Sequence, residues 1–157
     1  MVTVTTAVRR PGISVGRLKE IVIGALRRER VTPGTAVSIV LVDDPTIRRL
    51  NRRFLGKDRP TDVLSFPLAD VGGRARERGR HPSNNPHRLL GEIVISIDRA
   101  RHQAKVAGHL LRTEVALLAV HGILHLTGYD DRSAGRAAAM DRRQRQILRA
   151  VGEEAEA

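Results

Sequence analysis

Not one of the 157 residues is cysteine, so disulfides, cysteine-ligated zinc, iron–sulfur clusters and thiol nucleophiles are excluded together. Any metal has to be held by histidine and carboxylate. Aromatic residues are nearly as scarce: Phe54, Phe66 and Tyr129 are all there are, too few for a platform that stacks successive bases. No uncharged apolar stretch reaches the 18 or so residues that a membrane helix needs. Met1 to Arg10 is threonine-rich with its basic pair late, the wrong order for a signal peptide. The expectation is a soluble cytoplasmic protein with no membrane partner. Acid is short as well, with 17 Asp and Glu against 28 Lys and Arg for a formal charge of +11. A field of that sign favours polyanions, whether RNA, DNA or an anionic membrane surface. The ratio of 25 arginines to 3 lysines also fits the codon bias of a GC-rich genome.

What remains is enough for one domain. At 41% hydrophobic the chain fills a core without staples. Residues 1–152 are assigned to that domain, and 153–157, with Glu153, Glu154 and Glu156 beyond Gly152, are expected to form an acidic, frayed tail. Residues 2–8 alternate valine with threonine as an edge strand does. Ser14 caps a helix whose stripe is Val15, Leu18, Ile21, Val22, Ala25 and Leu26. Val37 to Val42 reads as a buried strand. Asp43-Asp44-Pro45 launches a short helix with Ile47, Leu50 and Phe54 inward, ending near Gly56.

Two further apolar runs, Val63 to Leu68 and Leu89 to Ile97, predict strands. The first carries Pro67, suited to an edge, and the second ends at Asp98 as a helix cap. The stretch from Val71 to Arg88 has no period and reads as a mobile loop. Leu110 to Leu126 is apolar all round, a helix that passes through the core. A last helix over about Ser133 to Val151 turns Met140, Ile147, Leu148 and Val151 inward and an arginine face outward. Because the two middle strands join without a helix between them, the fold is expected to be α+β: a small mixed sheet packed with helices, with the apolar helix at its centre.

The chemistry lies in His121-Gly122-Ile123-Leu124-His125-Leu126-Thr127-Gly128-Tyr129-Asp130-Asp131. Histidines four apart share one helix face and can aim at a single ion. Gly128 then offers a left-handed exit that turns the chain back, bringing Asp130 or Asp131 round as a third ligand. Asp131 is preferred, because a glycine at +7 and a ligand at +10 from the first histidine repeat the spacing of the metzincin proteases. Three protein ligands leave one position for water, the mark of a catalytic zinc. Peptide hydrolysis is not expected, since Gly122 stands where the zincin helix carries its glutamate base.

These residues resemble the bacterial YbeY endoribonucleases, whose signature is similar to HGxLHLxGYDH. Lys57-Asp58 with Pro60-Thr61-Asp62-Val63-Leu64-Ser65-Phe66-Pro67 resembles the family's second block, and Leu90-Gly91-Glu92-Ile93-Val94-Ile95-Ser96 its third. Gln103-Ala104 and Gly108-His109 also fit. The resemblance implies a zinc-dependent endoribonuclease that prefers single strands, matures the 3′ end of small-subunit ribosomal RNA and takes part in ribosome quality control. RNA and the small subunit would be its partners and one zinc ion per chain its cofactor, with no DNA. Two positions depart from the family: Asp131 stands where it usually has histidine, and Leu55 where many members have an arginine after an aromatic residue. Arg52, Arg53 and Arg59 are candidates to contact RNA in its stead. Asp62, Ser65 and Glu92 are candidates to orient water or to steady the histidines, and His109 is read as a core or helix-start histidine. The alternatives are an assembly factor that binds the ribosome and keeps the metal for folding, or a metal hydrolase acting on another substrate.

Overall fold

A computed structural model describes residues 1–68 and 89–153. Four strands, β1 (Val2–Thr6), β2 (Ala36–Val42), β3 (Val63–Pro67) and β4 (Leu89–Ser96), form one sheet in the order β1-β2-β4-β3. The first two pairings are parallel and β3 runs antiparallel to β4, so the sheet is mixed and the fold is α+β. The parallel pairs are joined through helices, as such pairs require. Both edges fall to the strands expected there, and Pro67 ends β3 where its missing N–H is tolerated.

Alternation divides β4 between two cores. Gly91, Ile93 and Ile95 face one side, in register with Val37, Ile39 and Leu41 of β2. That side is covered by α1 (Val15–Arg28) and α4 (Leu111–Leu126) and holds the larger core. Val94, with Val42 and Leu64, faces the other side, where Ile47 of α2 (Asp44–Leu55) closes a smaller one. Helices α3 (Ile97–Ala107) and α5 (Ala134–Ala150) pack against α4. Helix α4 therefore runs through the interior, and buried residues occupy every side of it, from Val115 and Ala116 to Ile123 and Leu124.

Two glycines let α4 approach the sheet. A Cβ on Gly122 would stand 2.7 Å from Ile93 Cγ2, and one on Gly91 would stand 2.6 Å from the Phe66 carbonyl and 2.7 Å from Leu126 Cδ2. The position after the first histidine thus faces the core, and a glutamate there would have to displace Ile93.

Several local expectations are corrected. Ile97 begins α3 instead of ending β4, and Ser96, not Asp98, is its N-cap, with Arg99 N–H donating to Ser96 Oγ. Asp98 instead accepts from the Asp44 N–H at 2.8 Å, serving the N-terminus of α2. Val15 and Phe54 are exposed, not inward. Glu153, expected to fray, is only 4% exposed and accepts from Arg17 Nε at 2.9 Å and Arg112 Nε at 3.2 Å. The loop expected over 71–88 and the tail from 154 onward lie outside the described residues. Among those described, no single helix is long and apolar enough to cross a membrane.

Candidate metal centre

The exit from α4 builds the site. Gly128 takes φ 111°, and the Tyr129 N–H donates to the Leu124 carbonyl while the Gly128 N–H donates to that of His125. This is the paired bonding of a Schellman turn. It carries the Tyr129 carbonyl back over the last helical turn, where it accepts from His125 Nδ1 at 3.2 Å. On the neighbouring turn, His121 Nδ1 donates to Gln144 Oε1, 3.0 Å away on α5.

Both outward ring nitrogens therefore carry protons, and both Nε2 atoms are left with lone pairs. Those two atoms face each other at 3.0 Å, with the rings edge to face. Two acceptors so close need something positive between them. A shared proton is opposed by burial, which pushes the His121 pKa below the ordinary histidine value; His125 adds to the lowering, while Gln144, Asp62 and Asp131 pull the other way. A divalent cation meets the need without protonating either ring. Nitrogens at about 2.05 Å on a tetrahedral zinc stand about 3.3 Å apart, so a few tenths of an ångström of opening fits the pair to such an ion.

A cleft of about 400 Å³ opens beside this pair along the edge strand, lined by His121, His125, Leu126, Leu55 and Asp62 to Pro67. Register puts Val63 and Ser65 on the face of β3 that meets α4, opposite Ile95 and Ile93. Asp62 is fixed at its mouth: the Val63 N–H donates to Oδ1 at 2.8 Å and Gln103 Nε2 to Oδ2 at 3.3 Å. Asp131 is exposed and acts on His121 through its charge. Asp130 is committed elsewhere, accepting from the Arg132 N–H and Arg136 Nη1, both at 3.1 Å. Among the described residues no three His, Asp or Glu side chains already converge as a ligand set, so the geometry unites the two histidines and leaves Asp131 near them.

Other expected site residues lie apart. Glu92 pairs in register with Phe66 and faces the α2 side of the sheet, so it is not brought to the histidines. Arg52 lines a separate hollow of about 430 Å³ with Arg48, Arg49, Asp44 and Asp58. Arg53 lies over the ring of Phe54, and the Arg59 carbonyl accepts from Asn51 Nδ2. Leu55, where the resemblance implies an arginine, does line the cleft. His109 is held by Glu114, Nε2 to Oε2 at 2.5 Å, at the corner between α3 and α4. Gln144 escaped the sequence reading, although a glutamine one turn after Met140, on a stripe that continues to Ile147 and Leu148, is the signal that could have found it.

The family model for Endoribonuclease YbeY matches residues 12–152. Proteins named Endoribonuclease YbeY from Moorella thermoacetica and Halalkalibacterium halodurans are 44% identical over 135 residues and 43% over 136. Each alignment covers 86% of this chain, and 85% and 84% of the respective relative. The solution structure of the Thermotoga maritima protein TM1509 superposes with a TM-score of 0.63 at 27% identity, covering 96% of this chain and 89% of that one. With the family model spanning residues 12–152 and relatives of this similarity aligned over most of their length, the chain belongs to the YbeY endoribonuclease family.

Proposed function

We propose that the cleft beside β3 is the active centre of a zinc-dependent endoribonuclease that cuts single-stranded RNA and serves, in the cytoplasm, the 3′ maturation of small-subunit ribosomal RNA and ribosome quality control. The observation that carries this reading is the pair of imidazoles whose Nδ1 atoms are both tied to oxygen and whose Nε2 lone pairs converge. His121, His125 and Asp131 hold one zinc ion. When bound, it supplies Lewis-acid polarisation of a phosphodiester and activation of water near neutral pH. The protein's own part is placement. Gln144 and the Tyr129 carbonyl fix both rings. Asp62, anchored by Gln103 and the Val63 N–H, orients water at the mouth with Ser65 beside it. Arg52, Arg53 and Arg59 meet phosphates along the approach, where the net charge of +11 draws a polyanion in.

The test is metal analysis of the purified chain, followed by cleavage of a small-subunit rRNA 3′ precursor with and without chelator and with His125→Ala. About one zinc per chain is expected, and cleavage is expected to vanish on chelation and in the variant. A folded, metal-free His125→Ala protein that still supported maturation would overturn catalysis in favour of a ribosome-binding assembly factor.

A further inference from the structure

Phe54 is the aromatic residue that helical period sends inward and the fold sends out. Ile47 and Asn51 take the buried face of α2, and Phe54, in its last turn, is 56% exposed. It is nevertheless held. Its ring meets that of Phe66 edge to face with centroids 5.4 Å apart, and the Arg53 guanidinium lies 5.4 Å from its centroid. Phe66 also lines the cleft that contains His121 and His125, so the ring of Phe54 adjoins that cleft through a single side chain. Leu55, 55% exposed, continues the apolar rim into it.

An exposed aromatic ring anchored at one edge, with a cation against it and more arginines nearby, is the minimal arrangement by which proteins bind single-stranded nucleic acid: a base stacks on the ring while guanidinium groups meet the backbone. The charge is wrong for an acid-poor protein surface seeking a basic partner and right for a phosphodiester strand. We propose that Phe54 is a stacking subsite for one unpaired nucleobase of the RNA substrate, with Arg53 contacting an adjoining phosphate. The inference rests on the RNA-cleaving reading above and assigns it a place where the strand is gripped. Three aromatic residues are too few for a stacking platform, but one suffices for a single base.

The experiment measures fluorescence anisotropy of a short single-stranded oligoribonucleotide with the full-length protein, the strand confirmed intact by gel. Variants are Phe54→Leu, which keeps apolar bulk against Phe66, and Phe54→Tyr, which keeps the π face. A second strand carries abasic positions. Phe54→Leu is expected to weaken binding about 5- to 150-fold, Phe54→Tyr to bind as the parent does, and the abasic strand to erase the difference between parent and Phe54→Leu. In cleavage assays the loss should fall on KM with kcat little changed. Phe54→Leu binding as tightly as the parent, with the parent's affinity falling steeply with salt, overturns the stacking subsite and leaves the RNA reading standing. A parent that binds no RNA overturns both. If Phe54→Leu and Phe54→Tyr are equally weak, the aromatic face is not what is read, and the proposal fails.

Discussion

Gln144 chooses which nitrogen of His121 faces the cleft. Its Oε1 accepts from Nδ1 at 3.0 Å, and the side chain is 7% exposed, so the bond is shielded from water. In Gln144→Leu, Nδ1–H loses its acceptor, and a half-buried donor left unsatisfied costs about 1–3 kcal/mol. The ring has an escape. Moving its proton to Nε2 lets it donate to His125 Nε2, already 3.0 Å away. That tautomer satisfies both histidines with one proton and puts a hydrogen where a cation would bind. The variant should therefore fold and yet hold zinc about 10- to 100-fold more weakly, the usual cost of losing such a support. At 1.36 kcal/mol per decade this is about 1.4 to 2.7 kcal/mol, the size of the orphaning cost it avoids. Competition against a chromogenic chelator measures the affinity, and long-range ¹⁵N correlations of the imidazoles report the tautomer. Gln144→Glu, whose carboxylate still accepts from Nδ1, should keep the affinity and raise the His121 pKa. A folded Gln144→Leu protein with unchanged zinc affinity, or with the proton still on Nδ1, would refute the reasoning.

Gly122→Ala gains about 0.8–1 kcal/mol of helix propensity. It also drives a methyl to within 2.7–3.0 Å of three atoms of fully buried Ile93, an overpacking worth about 1–3 kcal/mol. Urea denaturation should show a net loss, and a stabilised variant would mean that the close approach of α4 to β4 is no constraint. Glu153→Ala removes a carboxylate that serves two arginines. Bonds to charged groups contribute about 1.5–3 kcal/mol each, but Arg17 and Arg112 are 32% and 51% exposed and regain water, so a loss near the lower figure is expected; an unchanged denaturation midpoint would return Glu153 to the frayed tail.

The legible parts of the fold were those fixed within a few residues. Ser14 and Asp43 each accept from the N–H three positions on, and Gly56 takes the left-handed conformation at the end of α2, as local bonding and sterics dictate. The two histidines were legible because helical spacing alone decides that they share a face. The unread parts depended on partners far along the chain. Ser96 and Asp98 are equally good caps by type, and the choice was made by Asp44, 52 residues away, which accepts from Ser96 Oγ. Glu92 sits in a run covered on both faces, where alternation leaves no trace in hydropathy, so its turn away from α4 was invisible. Gln144 and Glu153 act on His121 and Arg17, 23 and 136 residues distant, and no periodicity encodes such pairs.

The two departures from the family pattern act in one electrostatic direction. Aspartate at 131 brings a negative charge where the resemblance implies a neutral histidine, and leucine at 55 puts an uncharged side chain on the wall of the cleft where it implies an arginine. Of the arginines on α2, Arg48 is paired with Asp58 at 2.9 Å and Arg53 lies against the ring of Phe54. On the proposed ligand set, the positive charge that meets a scissile phosphate is thus concentrated on the metal ion and not shared with a wall arginine. An anionic ligand also lowers the net charge of the centre, which makes water bound there a weaker acid. Removing the ion should therefore cost this chain substrate binding as well as chemistry, since no lysine or arginine is among the described residues that line the cleft.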